Sequence, residues 1–97
     1  MRRAARVDDN HALIVQALRR VGAEVQSLAM VGDGCPDLLV AFRSANFLLE
    51  VKDGSKSPSK RKLTADEAAW HARWAGRGQV AVVATVHEAL AAIGAVE

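Results

Sequence analysis

Apolar and polar residues alternate along this chain in two rhythms, and the switches between them mark its elements. From Asp8 to Val21 the apolar positions Ile14, Val15, Leu18 and Val21 recur at helical spacing and give one core-facing stripe. Asp8, Asp9 and Asn10 are good helix-capping types, and Gly22 stops the helix. Glu24 to Met30 reads as a short strand, and Val31-Gly32-Asp33-Gly34 as a flexible turn. Two strand-length apolar runs follow, one through Leu38, Leu39 and Val40 and one through Phe47, Leu48 and Leu49, with Arg43-Ser44-Ala45-Asn46 as a polar reversal. A turn centred between Ser44 and Ala45 would pair Phe42 with Phe47. Thr64 with Glu67 forms a capping box for a helix running through Trp70, His71 and Trp74 to Gly76. Gln79 to Ala84 is a β-branched run suited to a sheet interior. Thr85 then caps a final helix from Val86 to Ile93, with Glu88 three residues on. The order αβββαβα predicts one α/β domain over residues 1–97, a mixed sheet flanked by helices.

The hairpin concentrates the chemistry. Side chains alternate with period two, so Asp37, Glu50 and Lys52 emerge on one face and Leu38, Val40, Phe42, Phe47, Leu49 and Val51 on the other. With the turn placed as above, Asp37 falls opposite Lys52 and Glu50 lies one diagonal step away. A slip of one residue would send Asp37 to the wrong face. Two acids and a lysine at one end of an apolar hairpin suit metal-assisted phosphodiester hydrolysis. Mg²⁺ takes hard oxygen ligands and usually only one or two carboxylates. Asp37, Glu50 and the backbone carbonyl of Val51 are the candidate ligands for Mg²⁺ or Mn²⁺. Lys52 is placed to orient or deprotonate water, or to offset transition-state charge.

Charge changes the picture only locally. The net charge is +2, and 51% of residues are apolar with 25% charged, an ordinary globular balance. The cations gather in the arm over residues 1–7 and in Lys56, Lys60, Arg61 and Lys62, where no apolar residue is available to bury. Those four are expected to neutralise DNA phosphates and to make binding salt-dependent. The single Cys35 forms no internal disulfide and fits a reducing cytoplasm. No apolar run is long enough for a membrane span. His71 has no second histidine at ligand spacing and reads as a helix-surface residue. The tryptophans offer either base stacking or, more simply, buried packing or a subunit contact.

Pro36-Asp37 followed by Glu50-Val51-Lys52 resembles the PD-(D/E)XK nuclease motif. Gly34-Cys35-Pro36-Asp37-Leu38, Leu49-Glu50-Val51-Lys52-Asp53-Gly54 and Leu63-Thr64 before Trp70 narrow the likeness to the small stand-alone VRR-NUC type, which is phage-like and related to Holliday junction resolvases. It implies the restriction-endonuclease-like fold and a metal-dependent DNA endonuclease acting on branched or flap-like DNA, working as a homodimer in a bacterial cytoplasm. On the residues alone, the glycines of the 31–34 turn would let a sugar-phosphate backbone approach closely, although a plain tight turn explains them more simply. The family commonly has a glutamine where Glu67 stands, near the active-site lysine, so Glu67 is expected to pair with Lys52 or adjust its basicity. It often has a glutamate on the first helix where this chain has Leu13, with Asp9, Asn10, His11 and Gln16 as possible substitutes. That departure keeps open a non-catalytic DNA-binding module with the same fold.

Overall fold

The computed structural model describes residues 9–96, and the expected basic arm and the capping role of Asp8 lie outside that range. Helix α1 is Asp9–Arg20, followed by strands β1 Glu24–Ser27, β2 Leu38–Phe42 and β3 Ala45–Val51. A short 3-10 turn at Pro58–Arg61 leads into α2 Ala65–Trp74, then β4 Val80–Val83 and α3 Val86–Ala92. The sheet order is β1-β2-β3-β4. The first three strands are antiparallel and β4 joins β3 in parallel, so the crossover carries α2. The mixed α/β architecture expected from the pattern is the one observed.

One face of the sheet makes the core. Val25, Leu38, Val40, Phe47, Leu49, Val51 and Val83 meet Ile14 and Leu18 of α1 and Ala89 and Ile93 of α3. Period two on the strands and the 14/18 and 89/93 spacing on the helices put these side chains together. Helix α2 shares no extensive contact with any other element and is moored at the polar end of the hairpin instead.

Three expectations need correcting. Strand β1 ends at Ser27 rather than reaching Met30, because the Val31 amide turns back to the Leu28 carbonyl (3.0 Å). Strand β4 is an edge strand rather than an interior one, and Val82 is 44% exposed. The hairpin turn is also tighter than the polar stretch implied. Phe42 pairs with Ala45 and Leu38 with Leu49, leaving only Arg43 and Ser44 in the turn. Both have positive φ, 51° and 68°, the type I′ conformation that suits the twist of a two-residue hairpin. The slip relative to expectation is two residues, so every side chain keeps its face.

Arg43 is held in this conformation by stacking on Phe42 (4.8 Å) and by donating to the Gly94 carbonyl (3.3 Å). Neither contact involves Ser44, whose left-handed backbone is relieved by glycine. Ser44→Gly is expected to stabilise the fold by about 1 kcal/mol, measured as a shift in the urea midpoint at unchanged slope.

Candidate active site

The observed register, carried one residue past the Leu38–Leu49 pair, sets Asp37 directly opposite Glu50 and moves Lys52 to the diagonal. The amides of Leu48 and Lys52 donate into the β4 side, to Gln79 (2.8 Å) and Val83 (2.9 Å). The backbone of Val51 therefore faces the β2 side, where the next residue in register is Pro36. Proline has no N–H, so the ladder cannot supply a donor to the Val51 carbonyl. The Val51 amide instead donates to Asp37 Oδ2 (2.8 Å), which fixes that carboxylate beside Glu50.

Glu50 is the one buried charged residue among those described, 3% exposed. Burial, the charges of Asp37 and Glu67, and a hydrogen bond with Asp37 push its carboxyl up to about 8, against a smaller opposing pull from Lys52. Its Oε1 is buried without a hydrogen-bond partner, and its Oε2 lies 3.7 Å from Lys52 Nζ. Without a cation these surroundings favour its protonated form.

Lys52 Nζ donates to Glu67 Oε1 at 2.8 Å. Burial disfavours its charge, but the Glu67 bond and the neighbouring carboxylates outweigh burial and hold its pKa above the ordinary lysine value. The same Glu67 oxygen accepts from the Thr64 amide (2.9 Å), and Thr64 Oγ1 accepts from the Glu67 amide (3.2 Å). The capping box and the lysine contact are thus made at once by one carboxylate. Burial raises the Glu67 pKa, and the bonds from Lys52 and Thr64 more than reverse this, leaving it below the usual range. Gly34 brings α2 to this position. A Cβ there would run into the Asp66 carbonyl and come 2.9 Å from the Glu67 amide. The close approach this glycine permits is to a helix start within the chain.

The first helix contributes through Asn10. Its Nδ2 donates to the carbonyls of Lys52 (2.6 Å) and Ala84 (3.2 Å), tying together the ends of β3 and β4. Leu13, at the position where an acid was expected, is 55% exposed, and Gln16 is exposed as well. Among the four basic candidates, Lys56, Lys60 and Lys62 are exposed, whereas Arg61 is half-buried with an unpartnered Nε. Arg61 and Lys52 line one cleft of about 300 Å³ with Pro58, Val82, Ala84 and Glu88. The Pro58–Arg61 turn, unexpected in a segment with nothing to bury, separates Arg61 from its neighbours. The Cys35 thiol is pushed up by burial and by Glu50 and Asp37, which disfavours its thiolate.

Among the described residues no group of three His, Cys, Asp or Glu side chains has metal-holding geometry. The available donors are two facing carboxylates, one with a buried unpartnered oxygen, and a carbonyl freed from the ladder. This all-oxygen set suits Mg²⁺ or Mn²⁺, which complete their shells with water and phosphate. Sequence reasoning missed Asn10 as a strand clasp, Gly34 as a helix seat and Pro36 as the residue that ends the ladder. Only the last had a local signal, a proline inside an otherwise strand-like run.

No protein-family model matches the chain, and no curated protein matches it. A solved structure described as a VRR_NUC domain superposes with a TM-score of 0.61 at 24% sequence identity, over 84% of this chain and 91% of that one. The fold of this chain is therefore that of a VRR_NUC domain, as the motif resemblance implied. No helix among the described residues is long and apolar enough to cross a membrane.

Proposed function

We propose that this chain is a Mg²⁺- or Mn²⁺-dependent DNA endonuclease of the VRR-NUC kind, acting on branched or flap-like DNA as a homodimer. The observation that carries the reading is the apposition of Asp37 and Glu50, with Lys52 3.7 Å from Glu50, on the fold of a VRR_NUC domain. Asp37, Glu50 and the Val51 carbonyl would hold the cation. When bound, it supplies Lewis acidity toward the phosphate and makes water at the site a stronger nucleophile.

The chain's own residues set the rest of the chemistry. Asp37, fixed by the Val51 amide, presents its carboxylate without a search through rotamers. To hold the cation Glu50 would have to be ionised, its proton passing to solvent. Lys52 stays cationic under the influence of Glu67, which favours charge stabilisation and orientation of water over proton abstraction by its amine. Glu67 positions Lys52 without touching the reacting atoms. Lys56, Lys60 and Lys62 meet the DNA backbone from an exposed loop, and Arg61 reaches toward the phosphate nearest Lys52.

The test is cleavage of labelled four-way junction, flap, single strand and linear duplex, each with Mg²⁺, Mn²⁺ or EDTA. Cutting is expected only with metal, and Glu50→Ala is expected to lower it by at least about 10²–10³-fold while retaining the fold. Paired symmetric nicks in the junction would support a dimeric resolvase, and flap cutting alone would remove that refinement. DNA binding with no metal-dependent cutting would overturn the nuclease reading in favour of a binding module.

A further inference from the structure

Helix α2 carries a feature that the metal site does not use. Trp70 and Trp74 are stacked nearly parallel, with ring centroids 4.5 Å apart and an interplanar angle of 8°. Trp70 is buried, but Trp74 is 39% exposed. The stack holds the outer indole rigid, and a Cβ on Gly78 would already stand 3.2 Å from its ring, so the turn after the helix braces it as well. A rigid, half-open aromatic ring is poorly explained by core packing, since neither tryptophan belongs to the main apolar cluster.

Its position and surroundings point to a ligand. Trp74 follows Glu67 by seven residues and so projects on the same side of α2, about 10 Å further along the axis. Glu67 is bonded to Lys52, so the helix face that carries the ring begins at the proposed active-site lysine. Arg73 and Arg77 flank it, with Arg77 Nη1 donating to the Arg73 carbonyl at 2.8 Å. Between residues 68 and 87 there is no Asp or Glu to offset them. An aromatic face on a stretch of chain that carries cations and no acid matches the stacking platforms that hold unpaired bases, whereas a subunit contact would favour matched charges.

We infer that Trp74 stacks on an unpaired base next to the scissile phosphate, which makes a single-stranded or frayed nucleotide part of the substrate. The inference rests on the nuclease reading for the word substrate; the binding itself does not. In duplex DNA every base is already stacked on its neighbours, and the platform gains nothing.

The experiment uses the full chain in EDTA, so that binding is read without chemistry. A short oligothymidylate and a blunt duplex are titrated in turn, following tryptophan emission and the anisotropy of labelled DNA. The single strand is expected to quench the emission and the duplex to quench it far less. Trp74→Ala should weaken oligothymidylate binding about 5- to 100-fold, and Trp74→Phe should restore most of it. Absence of quenching, or unchanged single-strand affinity in the alanine variant, overturns the inference. So does loss of self-association in sedimentation with single-strand affinity intact, which would make Trp74 a subunit contact. If the alanine variant does not fold, the phenylalanine variant decides: it should keep most of the single-strand binding but lose most of the quenching, because the emitting ring at position 74 is gone, and quenching as strong as in wild type overturns the inference. Stacking without metal-dependent cutting would sink the nuclease reading and keep this one; cutting without stacking would do the reverse.

Discussion

Glu50→Gln is expected to stabilise the metal-free protein at alkaline pH while abolishing its response to Mg²⁺. In the fold the Glu50 carboxyl keeps its proton up to about 8, whereas its ordinary value is 4.5. Between those values the folded state binds more protons than the unfolded chain, so stability falls as pH rises through the window. Each pKa unit of displacement is worth about 1.4 kcal/mol, so on the order of 5 kcal/mol is lost once the group is forced to ionise. Glutamine keeps the shape and carries no charge to bury. The lowered His71, whose burial resists its charge, moves stability the other way, but only below its ordinary value of 6.5. The comparison is therefore made from about pH 7 to pH 9, by urea denaturation in EDTA. The glutamine variant should exceed wild type by on the order of 5 kcal/mol at the alkaline end. Saturating Mg²⁺ should close most of that gap by raising wild type alone. Identical curves for the two proteins would mean that Glu50 is neither crowded nor desolvated.

Gly34→Ala is the other large effect, and it acts through the backbone of α2. The glycine has φ +82°, and the added carbon meets the Asp66 carbonyl and the Glu67 amide. Neither is the flexible end of a side chain, so the helix start itself must be displaced. The combined cost of overpacking and a left-handed alanine is about 3 kcal/mol, or roughly 15 °C in melting temperature for a domain of this size. Any molecules that do fold lose the Glu67–Lys52 contact, so cleavage should fall further than the folded fraction. Gly32→Ala is the control. Gly32 has φ +78° but nothing within 4 Å, and should lose only about 1 kcal/mol. Equal melting temperatures for the two variants would remove the helix-seat argument.

Much of the architecture was legible because it is local. The stripe on α1, the alternation on β2 and β3, and the Thr64–Glu67 capping box each lie within a few residues of one another. The face shared by Asp37, Glu50 and Lys52 survived a misplaced turn because the error was even-numbered. Arg43-Ser44 hid the turn, since a type I′ reversal is normally signalled by Asn-Gly; contacts with Phe42 and Gly94 hold Arg43 in it, and Ser44 adopts it without them. What could not be read is non-local. Asn10 reaches carbonyls 42 and 74 residues away, and Gly34 is explained by a helix that begins thirty-one positions later. The edge position of β4 escaped notice because a β-branched run looks the same at either place in a sheet. Glu67 was described by two competing roles that a single oxygen turns out to fill together.

The end of the hydrogen-bond ladder at Pro36 has a consequence for how this site tolerates change. The third proposed oxygen belongs to the main chain, so the identity of the side chain at position 51 is irrelevant to it, and many apolar residues would serve. The constraint is exported across the strand to position 36, to a hydrogen atom that is not there. A residue with an ordinary amide at that position would silence the carbonyl without touching any group that looks chemical. Comparison of side chains alone would score such a replacement as harmless.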